Sequence, residues 1–116
     1  MSASFVDGQF PIKFLLDAVT TGTSVPFQVL GSGKRDLTFT CTSAGTTSGG
    51  TILLEESDLA SYTGTWSQLY SQAASGFTGN AKLCIHVEIG AGMWVRARVS
   101  SDVTGGGTAT VSVINI

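Results

Sequence analysis

Hydrophobic and polar residues alternate one by one through the last third of this chain. In residues 82–88, Leu83, Ile85 and Val87 are apolar, and the residues between and beside them are polar or a cysteine. This alternation puts the apolar side chains on one face of an extended chain, which is typical of a half-buried antiparallel strand. Two further runs repeat the pattern: 93–99 and 108–113.

Eight segments are predicted to be strands when the whole chain is read in this way, with glycine-containing breaks between most of them. They are residues 12–19, 24–30, 35–42, 51–56, 65–70, 81–89, 93–100 and 108–115. Short strands at this spacing are typical of two packed antiparallel sheets, and eight strands suit a jelly roll. The sequence therefore predicts an all-β fold, an antiparallel β-sandwich that is jelly-roll-like.

Two stretches, residues 12–19 and 53–60, also have a helix-forming composition. Apolar runs this short cannot be assigned by periodicity alone. We predict a strand for the first stretch. For the second we predict a strand that enters a turn at Ser57 and Asp58, with a short helical turn as the alternative.

The length of 116 residues fits one domain, which we place at residues 12–116. Residues 1–11 are apolar in part, but a glycine and a proline interrupt any regular pattern. We expect them to form an arm that lies across its own domain or reaches a neighbouring copy. The candidate interface residues of this arm are Phe5, Val6 and Phe10.

Charge is scarce along the chain. Charged residues make up 12% of it, about half the usual fraction of roughly 25%, and the formal net charge is −2. A binder of nucleic acid or of a membrane surface needs a basic face, so we expect neither partner. No run approaches the ~18 consecutive apolar residues of a membrane span. Because few charges keep copies apart, we expect a homo-oligomer.

Cysteine use and the N-terminus both suit synthesis in the cytoplasm. The first ten residues lack the basic start and apolar run of a secretory signal. Cys41 continues the apolar alternation of its strand and is predicted to be a core residue, whereas Cys84 points to the other face. We expect two free thiols, with a Cys41–Cys84 disulfide as the less favoured alternative in a reducing compartment.

No arrangement of residues predicts catalysis, a metal site or a cofactor. The single histidine, His86, has no nucleophile in an elbow such as G-x-S-x-G to activate. Residues 31–35 resemble a fragment of a phosphate loop but lack two residues of the full pattern. The acidic residues Glu55, Glu56 and Asp58 do not have the spacing of a calcium loop. We therefore predict that the protein is not an enzyme.

Arg96 and Arg98 alternate with apolar residues and so share one face of a predicted strand. Two guanidinium groups side by side could bind a phosphate or a carboxylate. We expect instead that both are solvated or paired with Glu88.

Aromatic residues are the remaining candidates for a binding site. Tyr62, Trp66 and Tyr70 recur every four residues, so Trp66 and Tyr70 would share one face of an extended strand. Trp94 lies on the polar face of its own strand. Either these four residues form a stacking platform for a sugar ring or another partner, or one tryptophan fills the core and the other covers its edge.

Four stretches of the chain together resemble a known group of proteins: residues 52–58, 64–69, 94–99 and 108–113. A strand with acidic residues leads to Gly-x-Trp-x-x-Leu, and a Trp-containing strand, a glycine-rich turn and an alternating end follow. This pattern is similar to that of small β-sandwich proteins in the virions of tailed bacteriophages. The similarity covers roughly residues 50–115.

Within that group, the length, the low charge and the apolar arm resemble capsid decoration or cement proteins. The resemblance implies a virion protein that binds the major capsid protein across subunit joints and stabilises the shell, together with copies of itself. It implies no site residues, because the shared residues look like scaffold. The alternative hypothesis is a carbohydrate-binding module or tail-associated adhesin that uses the aromatic residues named above.

Overall fold

The computed structural model describes residues 12–115 and contains eight strands and one turn of 3₁₀-helix at Ala74–Phe77. The strands are β1 (Lys13–Val19), β2 (Phe27–Gln28), β3 (Lys34–Ala44), β4 (Gly49–Ser57), β5 (Ser67–Ala73), β6 (Lys82–Gly90), β7 (Trp94–Thr104) and β8 (Thr108–Ile114). Each of the eight predicted segments overlaps one of these strands, and the ends differ by up to four residues. Glycine-rich connections end most strands, as the sequence indicates.

The strands form two four-stranded sheets in the orders β1-β8-β3-β6 and β2-β7-β4-β5. All neighbours are antiparallel. The first and last strands lie side by side, and the two halves of the chain interleave, which is the arrangement of a jelly roll. The predicted all-β sandwich is therefore confirmed.

One hydrophobic core lies between the two sheets, because the long strands β3, β7 and β8 each bury a run of alternate residues. In β3 the buried residues include Leu37, Phe39 and Cys41, which confirms that Cys41 belongs to the core. The same alternation buries one face of β7 and β8. Burial raises the pKa of the Cys41 thiol to about 11, and the nearby Cys84 adds to this. Both cysteines are free thiols in this structure.

Two segments differ in detail from the prediction. Only Phe27 and Gln28 of segment 24–30 form a strand, because Pro26 has no N–H to donate to β7. The segment 53–60 continues as strand to Ser57 and then turns. The Ser57 hydroxyl closes this turn by donating to the carbonyl oxygen of Leu59 at 2.9 Å.

Three connections lie at one end of the sandwich. The Ala91 N–H donates to the carbonyl oxygen of Gly33, and the Gly92 N–H to that of Val29, both at 2.7 Å. These bonds join the β6–β7 turn to the β2–β3 connection. The β4–β5 connection, residues 58–66, comes to the same end, because β4 and β7 pair as far as Ser57 and Trp94.

Phe5, Val6 and Phe10 lie outside the described residues, so the arm and its interface stay predictions. Within residues 12–115, no helix has the length and apolar character that crossing a membrane requires. These residues also contain no group of three His, Cys, Asp or Glu side chains arranged to hold a metal ion.

Candidate functional site

A cleft of about 360 Å³ opens where β4 ends and β5 begins. We call it the Tyr62 cleft. Its lining comes from the end of β4, the β4–β5 connection, the start of β5 and the residue before β7: Glu56, Ser57, Asp58, Tyr62, Thr65, Trp66, Ser67 and Met93. Loops at the end of a rigid sandwich are a common place for binding residues. We take this cleft as the candidate site.

Tyr62 places an aromatic ring in the wall of the cleft with 48% of the residue exposed. Its backbone is held on both sides, because its N–H donates to the carbonyl oxygen of Leu59 at 3.3 Å and its own carbonyl accepts the indole N–H of Trp66 at 2.9 Å. Gly64 lies against the ring, and a Cβ at that position would overlap the phenol group. A glycine is therefore needed here for the ring to keep its place.

Trp66 lines the cleft but is itself only 3% exposed. Its ring covers the outer side of the second sheet, where the guanidinium carbon of Arg96 lies 4.2 Å from the ring centroid. Such stacking of a cation on an aromatic face is attractive. Trp66 thus supports the floor of the cleft and does not present a free face to a ligand.

The expectation that Trp66 and Tyr70 share one face of a strand is wrong. Leu54 pairs with Tyr70 and Glu55 with Gln68, so Leu69 is an extra residue in β5. A β-bulge of this kind reverses which face each following residue occupies. Tyr70, at 40% exposure, is therefore separated from the cleft.

Trp94 is half-buried at the start of β7, opposite Ser57 of β4. It borders the cleft without lining it. Of the four aromatic residues named from the sequence, the structure therefore brings Tyr62 and Trp66 together in one site, with Trp94 next to it.

A buried carboxylate lies beneath Trp66. The Glu55 side chain is 2% exposed, and its Oε1 accepts hydrogen bonds from the Nε atoms of Arg96 at 3.0 Å and Arg98 at 3.1 Å. Its Oε2 accepts a further bond from Nη2 of Arg98 at 3.0 Å. Burial alone would raise the pKa of the Glu55 carboxyl, but the bonds and charges of Arg98 and Arg96 outweigh burial and lower it. In turn, Glu55 raises the pKa of Arg98.

The expectation that Arg96 and Arg98 are solvated or paired with Glu88 is wrong. Glu88 lies on β6 in the other sheet, where it pairs with Lys34 at 3.6 Å. β7 instead runs beside β4, and their register places Arg96 opposite Glu55. The sequence signal for this cluster is the pair of arginines on one strand face, because a carboxylate on the neighbouring strand would stabilise two adjacent positive charges.

The polar groups of the cleft are hydroxyls and two carboxylates. Within residues 12–115, neither Glu56 nor Asp58 takes part in an ion pair. Thr65 and Ser67 add hydroxyl groups to the lining. The cleft thus combines hydrogen-bond acceptors with the edge of an aromatic floor and an exposed aromatic ring.

His86 and Cys84 lie on the exposed face of β6, in the sheet that does not line this cleft. The Nδ1 atom of His86 is 3.0 Å from the Thr38 hydroxyl, and the Cys84 sulfur is 3.8 Å from that of Thr40. Both side chains therefore interact with hydroxyls of β3, the neighbouring strand.

Comparison with known proteins does not identify the function of this chain. Neither a protein-family model nor a curated protein matches this sequence. Among solved structures, the chain is similar to the C-terminal CBM6 of LamC, a marine laminarinase from Zobellia galactanivorans. The TM-score is 0.46 and the identity 13%, over 84% of this chain and 76% of that one. A similarity this distant says nothing about the ligand of this chain.

Proposed function

We propose that this protein is a non-catalytic binding domain that takes a neutral sugar in the Tyr62 cleft. The observation that carries the proposal is the combination, in one cleft, of the exposed Tyr62 ring with the carboxylates of Glu56 and Asp58, which lack ion pairs within residues 12–115. Small-molecule sites typically join an apolar surface with a few polar groups that fix orientation.

A sugar ring has the matching chemistry. Its C–H face can stack on the Tyr62 ring, since an aromatic side chain offers a large, rigid apolar surface. Its hydroxyls can donate hydrogen bonds to the Glu56 and Asp58 carboxylates, and bonds to charged acceptors are the stronger kind. The same two carboxylates would repel an acidic sugar, which is why the proposal specifies a neutral one.

Two ionisable side chains with catalytic potential lie outside the lining of the cleft. His86, the single histidine of the chain, is on β6 in the opposite sheet. The buried Glu55 is held by two arginines beneath Trp66 and faces away from solvent. Glu56 and Asp58 thus remain as acceptors for ligand hydroxyls.

Two matched variants test the proposal, because Tyr62 and Tyr70 are both exposed tyrosines and only Tyr62 lines the cleft. Uncharged oligosaccharides of β-glucan, xylan and mannan are titrated into the full chain by calorimetry, with oligogalacturonate as the acidic comparison. We expect Tyr62→Ala to weaken binding of the preferred neutral sugar about tenfold and Tyr70→Ala to leave it unchanged. Equal binding by both variants, or no binding of any neutral sugar by the native chain, contradicts the proposal.

A second candidate is the capsid decoration role that the sequence resemblance implies. Exposed apolar side chains outside the cleft favour an assembly function, and Phe14 on β1 is one of them, with 60% of the residue exposed. Deleting residues 1–10 tests this candidate: the shortened chain is expected to fold and to lose binding to phage shells. Undiminished shell binding would show that the arm is not the contact.

A further inference from the structure

β6 differs from the other strands at the edges of the two sheets. Its nine residues pair with β3 at nine consecutive positions without a shift in register. The other three edges are interrupted: the β1 pairing shifts register twice, β2 has two residues, and β5 carries a bulge. Irregular or short edges resist pairing with another chain, whereas a long regular edge is open to it.

The free side of β6 has both backbone and apolar groups to offer. Within residues 12–115, β6 is hydrogen-bonded to β3 alone. Every second residue of such a strand directs its N–H and C=O away from its one neighbour. Leu83 and Val87, on the core-facing side, are only partly buried although they pack against the core. A further strand beside β6 would satisfy the backbone groups and cover both side chains.

The sequence of β6 is complementary to itself in the antiparallel direction. When a second, antiparallel β6 is aligned about Ile85, residues at equal distances before and after Ile85 lie opposite each other. On the core-facing side, Leu83 is then opposite Val87. On the exposed side, Lys82 is opposite Glu88 and Cys84 is opposite His86. Apolar residues thus meet apolar residues, and each positive charge meets a negative one.

We propose that two copies of this chain form a two-fold dimer by pairing their β6 strands in this register. The two first sheets then join into one eight-stranded sheet with β1 at both edges. The contact is isologous, since the same strand serves both copies, and two-fold dimers are the commonest closed oligomers.

The charges around Glu88 favour this partner. Glu88 lies directly opposite Asp36 of β3, and like charges in this position destabilise a sheet. Lys34 is 3.6 Å away, but both side chains of that pair are well exposed, so it stabilises little. In the dimer, Lys82 of the partner subunit adds a positive charge beside Glu88. Lys82 itself has no ion pair within residues 12–115.

Only this register gives the charge pairing. A shift by one residue would turn the apolar side of one strand toward the exposed face of the sheet. If the two-fold axis moved from Ile85 to Cys84 or to His86, Lys82 would no longer lie opposite Glu88. Glu88 would then lie opposite Asn80 or Cys84, respectively. The register is therefore specific enough to be tested by exchange of charges.

The first experiment measures the dimer dissociation constant of the full chain by sedimentation over a dilution series. The variants are Lys82→Glu, Glu88→Lys and the double exchange, with Lys13→Glu on the far strand β1 as the control for the net-charge change of Lys82→Glu. Each single reversal replaces two ion pairs by two repulsions, and we expect it to weaken the dimer by at least about tenfold. The double exchange should restore the dimer, and the control should leave it unchanged.

A second experiment tests the register independently of affinity. His86→Cys places a thiol opposite Cys84 of the partner subunit, so mild oxidation is expected to give a covalent dimer on a non-reducing gel. Combining it with Cys84→Ser should abolish this product. A native chain that is monomeric at every concentration, a dimer indifferent to both single reversals, or cross-linking that survives the loss of Cys84 would each overturn the proposal.

Discussion

The Glu55 carboxylate receives two hydrogen bonds from the Arg98 guanidinium, from Nε to Oε1 at 3.1 Å and from Nη2 to Oε2 at 3.0 Å. Such a two-point contact fixes both side chains in orientation as well as position. With Arg96 and the Trp66 ring above it, this pair forms a small closed layer on the outside of the second sheet. The floor of the Tyr62 cleft is built on that layer.

Removing the Glu55 charge should destabilise the fold. Glu55→Gln leaves two arginines facing a neutral amide, and breaking a buried pair costs about 3–5 kcal/mol. Because the arginine side chains are 20% and 34% exposed, water recovers part of this, and we expect a loss of about 2 kcal/mol in the free energy of unfolding. Urea unfolding followed by fluorescence measures it. Glu56→Gln, next in the chain and without an ion pair in the described part, should change stability by less than about 0.5 kcal/mol.

The contribution of Glu55 should depend on pH in a defined direction. Its pKa is lower in the folded state than in the unfolded one, so the folded state holds its proton less tightly. Stabilisation is therefore complete above the unfolded pKa of about 4.3 and is lost as the pH falls through the folded value. The stability difference between native chain and Glu55→Gln should shrink between neutral pH and acid. If this difference in stability instead stays constant with pH, the loss in Glu55→Gln is due to packing and not to the charge of Glu55.

The two tryptophans should differ in access to solvent. Trp66 is 3% exposed beneath the cleft, and Trp94 is half-buried on β7. In Trp94→Phe the remaining fluorescence comes from Trp66 and should resist quenching by acrylamide. In Trp66→Phe it comes from Trp94 and should be quenched several-fold more steeply. Similar quenching in both variants would mean that the Trp66 ring is not shielded from solvent, which would contradict its stacking on Arg96.

The two cysteines should react separately. Cys84 is exposed, whereas Cys41 is buried in the core and has a pKa of about 11. The thiolate is the reactive form, so a thiol reagent at pH 8 should modify one cysteine per native chain and two in urea. Mass spectrometry of the labelled peptides identifies the site. Fast labelling of Cys41 in the native protein would contradict its place in the core.

The strands could be predicted from the sequence because their signal is local. An apolar residue at every second position determines which side of β3, β6, β7 and β8 faces the core, whatever strand lies beside it. The same rule placed Cys41 inside and Cys84 outside. The recurrence of aromatic residues every four positions indicated Tyr62 and Trp66 as candidates for a site, although it did not show which of them is covered.

Pairing between distant strands could not be predicted in this way. Glu55 meets Arg96 and Arg98 only because β4 lies beside β7, and residues about forty positions apart become neighbours through the strand order. The bulge at Leu69 likewise depends on the register with β4, and it separates Tyr70 from Trp66. The sequence by itself thus determined the approximate positions of the strands, the buried faces of the regular ones and the fold class, because side-chain alternation is a property of each strand alone. The tertiary structure decided the partner of every charge and the composition of the cleft, because both depend on which strands lie side by side and in which register.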